Sequence, residues 1–448
     1  MTRAPSPAPE ALLASRVPRY TSYPPANRFS DTVGPAEMGE WLAALDPADP
    51  VSLYLHVPFC RRLCWFCACR TQGTPSGGPL EDYLGWLESE VRLVASAAPS
   101  GLTAGPLHLG GGTPTLMSPD QLARLTDLIG AHIPFQALEV EIDPTEIDAP
   151  RLDALAAAGM TRASIGIQDF DPRIQSAIGR AQSPDETRAA IDGLRDRGTG
   201  SVNVDLLYGL PYQTRRTLSA TLQTVIALNP DRIALFGYAH VPWMARRQRM
   251  IPEQALPGPA ERLELFALAR KLLLWEGYVQ VGIDHFARPE DPLVTAASAG
   301  TLNRNFQGYT TDTAATLIGL GASSISRFAE GYIQNAPIVS AWRSALDEGT
   351  LPAARGLRLT ADDRMRGAVI AGLMCRFEAD LAKAATDHGF PGDALDADLA
   401  RAMAALGDAV ATDGRTLRLT HDDGRYARIA ASFFDAGIEA DRAYSLAV

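Results

Sequence analysis

Val51-Ser52-Leu53-Tyr54-Leu55-His56-Val57-Pro58-Phe59-Cys60, running on through Cys64 and Cys67 to Cys69, is the stretch on which the reading of this chain turns. Val51–Val57 has the apolar, aromatic and β-branched content of a strand. Pro58 stops it and delivers a loop with the spacing C-x3-C-x2-C-x-C. Four of the five cysteines in the 448 residues fall within these ten positions, which scattered structural cysteines would not do. Zinc sites usually combine two separated pairs of ligands, and no second pair exists here. Thiolates this close along one loop suit an iron–sulfur cubane, whose irons prefer soft sulfur ligands. Cys60, Cys64 and Cys67 supply three thiolates and leave one iron open to a further ligand. Cys69 either closes the cluster, as in an electron-transfer centre, or stands beside it as a free thiol. Three ligands with an open iron is the preferred reading, because the rest of the chain supplies features that a simple electron carrier has no need of.

Composition narrows the class. Apolar residues make up 46% of the chain and charged residues 21%, ordinary for a protein with a large buried core. The formal net charge of −11 argues against nonspecific binding to nucleic acid or an anionic membrane. Met1 to Glu10 are rich in Pro and Ala without an apolar core, so no secretory signal is expected. No apolar run reaches the length of a membrane span. Grouped cysteines fit a reducing cytoplasm rather than a disulfide framework.

Outward from the cysteine loop, strands and helices alternate. A helix is expected where Leu80, Tyr83, Leu84, Leu87, Val91 and Val94 recur at helical spacing. Leu107-His108-Leu109 then runs into Gly110-Gly111-Gly112-Thr113-Pro114. Three glycines clear a turn of side chains, so that backbone groups can approach a ligand. No Gly-Lys-Ser/Thr follows, which makes a phosphate loop a weak alternative. Ser118 and Pro119 open another helix. Strands are expected at Leu138–Asp143, Arg162–Gln168, Ser201–Leu207 and Arg232–Tyr238, with a seventh candidate at Tyr278–Ile283. Repeated strand–helix units with polar residues at the strand ends imply an α/β fold, a partial or full (β/α) barrel, although a flat doubly wound sheet shows the same alternation. Before the barrel, Arg19-Tyr20-Thr21-Ser22-Tyr23-Pro24 reads as part of an extended arm. After it, helices are expected at Thr360–Ala379, Leu381–His388 and Leu395–Val410, then a short β-element at Thr416–Thr420 and a last helix near Tyr426–Asp435. That succession is winged-helix-like, but its mixed charge argues against DNA binding. The expected division is an N-terminal arm at 1–48, a barrel domain at 49–352 and a mainly helical C-terminal domain at 353–448.

The C-x3-C-x2-C spacing, with Phe66 just before the last of the three cysteines, resembles the radical S-adenosylmethionine (SAM) enzymes. Taken with the Arg19–Pro24 arm, Leu107–Thr115, Glu141-Ile142-Asp143-Pro144, Gly166–Phe170, Asp205–Pro211, Tyr238–Pro242, Asp284–Arg288 and Asn305–Thr311, the chain resembles the oxygen-independent coproporphyrinogen III oxidase family over nearly its whole length. Several of these motifs are shared with the radical-SAM haem chaperones, so a haem carrier without decarboxylase activity is the alternative. Cys69 and the N-terminal arm favour the oxidase.

The resemblance implies a [4Fe–4S] cluster on Cys60, Cys64 and Cys67, with Cys69 a non-ligand, and SAM, two molecules of it. Tyr54, Gly111, Glu141 and Ile325 match positions that contact the cluster-bound SAM. Phe66, Gly112, Thr113, Gln168, Arg180, Asp205 and Ala239 match contacts to the second. The implied reaction turns two propionates of coproporphyrinogen III into the vinyl groups of protoporphyrinogen IX, in the cytoplasm, by a monomer served by a separate electron donor and acceptor. A tetra-anionic substrate needs cationic partners, for which Arg19 and Arg288 are the candidates. His56, His108, His240 and His285 are expected to pack as satisfied histidines, and Cys375 as a small buried hydrophobe.

Overall fold

Six successive strands carry the same two-residue alternation: β1 (Val51–Val57), β2 (Ala104–Gly111), β3 (Phe135–Ile142), β4 (Met160–Gln168), β5 (Ser201–Tyr208) and β6 (Arg232–Gly237). In the computed structural model, which describes residues 12–438 and 444–446, each is parallel to the next in chain order. The Pro/Ala-rich opening of the chain lies outside the described residues. Leu53, Leu55, Leu107, Leu109, Leu138, Val140, Ala163, Ile165, Val202, Val204, Ile233 and Leu235 lie on one face and belong to the main hydrophobic core. The alternate positions are polar: Tyr54, His108, Glu139 and Arg162 stand side by side in register, with Glu141, Ser164 and Asn203 one pleat further on.

Helices Gly78–Ala97, Pro119–His132, Ala149–Ala157, Pro184–Arg195 and Arg215–Ala227 connect these strands. Four of the five start on a side chain that accepts a backbone N–H: Ser118 from Gln121, Asp148 from Arg151, Ser183 from Glu186 and Thr214 from Thr217. Right-handed crossovers that never reverse direction place every helix on one face and curl the sheet around the other. A doubly wound sheet reverses its strand order, so this architecture is a partial (β/α) barrel with a polar interior.

The barrel does not close. The seventh expected strand is present only as β7 (Val279–Val281), paired antiparallel with β8 (His285–Ala287), which itself runs antiparallel to β6. Three residues between β7 and β8 allow a hairpin but not the crossover that a parallel strand requires. On the other edge β9 (Leu317–Leu320) lies parallel to β1, and β10 (Ile325–Arg327), β11 (Gly331–Asn335) and β12 (Ala353–Arg358) extend the sheet antiparallel. The complete order is β12-β11-β10-β9-β1-β2-β3-β4-β5-β6-β8-β7. The large sheet thus includes β12, just past residue 352.

The N-terminal segment is more than an arm. Its helix Pro35–Ala43 buries Met38, Trp41 and Leu42 in the main core. Leu13, Val17, Tyr20 and Tyr23 instead join a second core with Met365, Leu373, Leu381, Leu406, Leu417 and Phe434 of the C-terminal region. There, helices Ala361–Arg376, Leu381–Asp387, Asp396–Leu406 and Ala427–Ser432 surround a three-stranded antiparallel sheet of Glu378–Asp380, Val410–Asp413 and Thr416–Leu419. The first of these helices stops three residues earlier than its pattern predicts. Phe377 adopts a left-handed backbone there, against Gly424, and turns the chain into a strand. Among the described residues no helix is long and apolar enough to cross a membrane.

Candidate active site

The cysteine loop leaves β1 at its C-terminal end, where the polar face of the barrel opens. Phe59-Cys60 pairs with Gln72-Gly73, pinching the loop at its base. Trp65 N–H donates to Ile178 O at 2.9 Å, and Gln248 Nε2 donates to Phe66 O at 2.8 Å and to Ala239 O at 3.0 Å. Arg247 Nη2 reaches Cys69 O at 3.1 Å and Thr71 Oγ1 at 2.9 Å. The fold therefore holds the loop from both sides through its backbone, leaving the thiols turned to the interior.

Cys60, Cys64, Cys67 and Cys69 line one cavity of about 190 Å³. Its walls also carry Phe66, Gly111, Gly112, Thr113, Glu141, Gln168, Arg180 and Asp205, so eleven of the fourteen site residues expected from the sequence meet in one place. The glycine run closes directly on the cysteine loop: Gly112 N–H donates to Val57 O and Thr113 N–H to Phe59 O, both at 2.7 Å. A Cβ at Gly112 would stand 2.8 Å from Val57 O and closer still to Phe59 O. At Gly111 (φ +106°) it would stand 2.5 Å from His56 Nδ1. Only glycine fits this close approach.

Among the described residues no three His, Cys, Asp or Glu side chains are placed to hold a single metal ion. Three thiols rimming a cavity, faced by bare backbone, suit instead a multi-iron cluster with one iron left to a further ligand. The Cys69 N–H lies 3.4 Å from Cys67 Sγ, and the Cys69 thiol and N–H together draw the Cys67 pKa down. Burial pushes the Cys60 thiol up to about 11. Arg180 Nη1 approaches Cys64 Sγ at 3.6 Å and is fixed by an ion pair with Asp143 at 3.3 Å and by Gly166 O at 2.7 Å.

Deeper in, electrostatics rather than packing orders the barrel floor. His108 Nδ1 lies 3.2 Å from Glu139 and Nε2 3.4 Å from Glu141. Burial disfavours the imidazolium, yet the two carboxylates outweigh it and raise the His108 pKa. Burial likewise opposes ionisation of Glu141, but His108 and the Gly111 N–H (3.0 Å) hold its pKa below the usual range. Asp205 goes the other way. Burial and the charge of Glu141 raise its pKa, against hydrogen bonds from Asn203 (2.8 Å) and Ser164 (3.2 Å).

Three expected residues lie outside that cavity wall. Tyr54 sits behind Glu141, with its hydroxyl 3.0 Å from His56 Nδ1 and its ring edge-on to Phe306 at 4.9 Å. Ala239 is linked to the cysteine loop through Gln248. Ile325 lines a neighbouring apolar cavity. Arg288, a candidate for the substrate carboxylates, is at the wrong end of the barrel. It stacks on Tyr278 and bonds Asn229 Oδ1 and Glu276 O beside the start of β6, where it steadies a loop. The four histidines are satisfied as expected, and Cys375 is buried. Asp143, part of the Glu141–Pro144 motif, gains a role only from the structure, as the ion-pair partner of Arg180. The sequence reading passed over Arg247 and Gln248, in an irregular segment whose residues carry no periodicity.

A cluster-binding loop closed by a glycine turn, at the C-terminal mouth of an open (β/α) barrel, defines a radical SAM protein, and the radical SAM superfamily model matches residues 54–225. The oxygen-independent coproporphyrinogen III oxidase of Paracoccus denitrificans is 49% identical over 440 residues, covering 98% of both chains. That of Escherichia coli is 40% identical over 370 residues, covering 82% of this chain and 80% of its own. The solved structure of the Escherichia coli coproporphyrinogen III oxidase, a radical SAM enzyme, matches with a TM-score of 0.89 at 36% identity, covering 94% of this chain and 98% of that one. The chain belongs to the oxygen-independent coproporphyrinogen III oxidase family.

Proposed function

We propose that this protein oxidatively decarboxylates two propionate side chains of coproporphyrinogen III to vinyl groups, giving protoporphyrinogen IX in haem biosynthesis. The observation that carries this reading is the convergence of the three-thiol loop, the glycine turn and Glu141 on one cavity, in a chain matched end to end by relatives of that name. When bound through Cys60, Cys64 and Cys67, a reduced [4Fe–4S] cluster and SAM would supply the radical chemistry that removes a hydrogen atom from a propionate β-carbon. Loss of CO2 and one electron then leaves the vinyl group, so both an electron donor and an acceptor are required as partners.

Within this reading Cys60, Cys64 and Cys67 hold the cluster and Cys69 orients Cys67. Tyr54, Gly111, Glu141 and Ile325 serve the SAM on the cluster. Glu141, kept ionised by His108, is suited to accept hydrogen bonds from a ribose diol. Phe66, Gly112, Thr113, Gln168, Arg180, Asp205 and Ala239 serve a second SAM. The chain's own contribution is to fix donor and hydrogen atom in line and to exclude water. Free cysteines throughout fit a reducing cytoplasm, and within this reading the enzyme acts as a monomer.

The test is an anaerobic assay of the reconstituted protein with reductant, SAM and coproporphyrinogen III, following porphyrins and 5′-deoxyadenosine together. Both products are expected from the unmodified protein and neither from Cys64→Ala. Deoxyadenosine without decarboxylation would send the search to another substrate.

A further inference from the structure

The N-terminal arm, the hairpin Asn303–Thr310 and the last helix Ala427–Ser432 meet over the C-terminal ends of β5 and β6. They enclose a cavity of about 70 Å³ lined by Arg19, Arg304, Arg425, Arg428, Tyr208 and Asp284, among others. Four guanidiniums therefore face one small space. Of the two carboxylates along its wall, Asp423 pairs with Arg425 at 2.6 Å, and Asp284 is bonded to His285 Nδ1 at 2.7 Å while its charge also acts on Arg19 and Arg304 from beyond ion-pair distance. Arg428 is spent on the arm, donating to Val17 O at 2.8 Å and Pro18 O at 3.2 Å.

Arg19 and Arg304 are different. Among the described residues neither forms a salt bridge within 4.0 Å. Arg19 is pinned by Gly237 O at 2.6 Å, and Arg304 by the carbonyls of Arg19 and Tyr20. The Nε of each is buried without an acceptor. Burial, with Arg262 and Arg304 nearby, lowers the Arg19 pKa despite the opposing pull of Tyr208 and Asp284, so the fold holds this cation at a cost. Two fixed, part-buried guanidiniums that line one small void with no carboxylate in ion-pair contact are what an anion of carboxylate size would complete.

A second cavity shows what the rest of that ligand looks like. Arg304 also lines an apolar space of about 310 Å³, walled by Tyr20, Tyr23, Phe306, Ile370 and Met374 among others. Phe306 in turn stands edge-on to Tyr54, behind Glu141. Arg304 thus marks the border between an apolar chamber reaching toward the cluster side and a cationic recess at its end.

We propose that Arg19 and Arg304 together form a carboxylate anchor that holds one propionate of a flat tetrapyrrole while its apolar ring face lies in the adjoining chamber. The proposal rests on the function proposed above. The anchored propionate is one that survives the reaction, because an ion-paired carboxylate resists departure as neutral CO2. The anchor therefore sets which edge of the ring is offered to the radical. Arg19 and Arg304 are positioning residues, and their loss acts on binding rather than on SAM cleavage.

The test measures binding of coproporphyrin III, the stable oxidised ring, and of its uncharged tetramethyl ester to the full reconstituted protein, with Arg19→Gln, Arg304→Gln and Arg304→Lys beside it. The unmodified protein is expected to prefer the acid over the ester by tenfold or more. Each Gln variant should lose about tenfold on the acid and little on the ester, with Arg304→Lys partly restored. In turnover, the KM for coproporphyrinogen III should rise about tenfold while kcat stays within about twofold. An acid-to-ester ratio near one in the unmodified protein overturns the anchor whether or not the variants fold. So does an equal loss on acid and ester, which would signify packing. Absence of decarboxylation by a protein that binds the acid selectively would instead overturn the proposed function and leave the anchor standing.

Discussion

His108 stands between two carboxylates with both ring nitrogens engaged, an arrangement that an imidazole satisfies only by carrying two N–H groups. Its raised pKa and the depressed pKa of Glu139 are two faces of one interaction, and their pH dependences differ in sign. Glu139 is held down to about 2: burial opposes this, but Arg162 at 3.0 Å and His108 outweigh it. Its contribution to stability is complete above about pH 4.5 and is lost as pH falls toward 2, a range worth roughly 3 kcal/mol. The contribution of His108, with its pKa raised, is complete below about pH 6.5 and fades as pH rises through the folded value. Thermal melts between pH 3 and 8 are therefore expected to be highest between about 4.5 and 6.5 as far as this cluster governs them. Glu139→Gln should lower the melting temperature at neutral pH by leaving Arg162 and His108 under-compensated, costing about 3 kcal/mol. It should also flatten the acid limb. An acid limb unchanged in Glu139→Gln would assign it to other carboxylates.

At the scale of elements, the parallel strands were legible because each is a short apolar run delimited by glycine or proline. Leu107–Gly111 and Ser201–Leu207 needed no tertiary information. Parallel β9 and the antiparallel extension β10–β12 beyond it were not legible. Its strands are short, Gly319, Gly331 and Gly356 interrupt them, and their pairing partners lie on a sheet edge that only the folded barrel creates. The site divided the same way. Cysteine spacing and a glycine run are local signals, so Cys60, Cys64, Cys67 and Gly111–Thr113 could be picked out from the sequence. Arg247 and Gln248 grip the cysteine loop from nearly 180 residues away and leave no local trace. The glycine turn gives the sharpest element-level prediction. Gly112→Ala must push apart two backbone segments joined by 2.7 Å hydrogen bonds, with no flexible side chain to yield. Overpacking of this kind costs about 1–3 kcal/mol or more. Reconstituted Gly112→Ala is expected to melt lower and to hold less iron than the unmodified protein. Full iron content at an unchanged melting temperature would mean the two loops separate freely.

Among the described residues the two largest hydrophobic cores are those of the barrel and of the C-terminal region, and the N-terminal segment belongs to both. Trp41 and Leu42 pack with the barrel, whereas Leu13, Val17, Tyr20 and Tyr23 complete the C-terminal core. Arg428 binds the arm through Val17 O and Pro18 O, and Tyr20 Oη reaches Asp435 at 3.2 Å. The cysteine loop depends on neither contact, since Ile178, Arg247, Gln248 and the glycine turn hold it. Removing residues 1–24 should therefore separate two properties that a single cooperative domain would lose together. Four buried apolar side chains leave the second core, each worth about 1.5–3 kcal/mol. Helix Ala361–Arg376 and the segment around Ala427–Ser432 should then lose protection in hydrogen exchange, while the six parallel strands keep theirs. Iron content after reconstitution should stay near that of the full chain, because the barrel and its loop are intact. Turnover should fall steeply, because Arg19 and one wall of the apolar chamber go with the arm. Loss of iron in step with loss of turnover would show instead that the arm supports the barrel itself, and that the two cores fold as one.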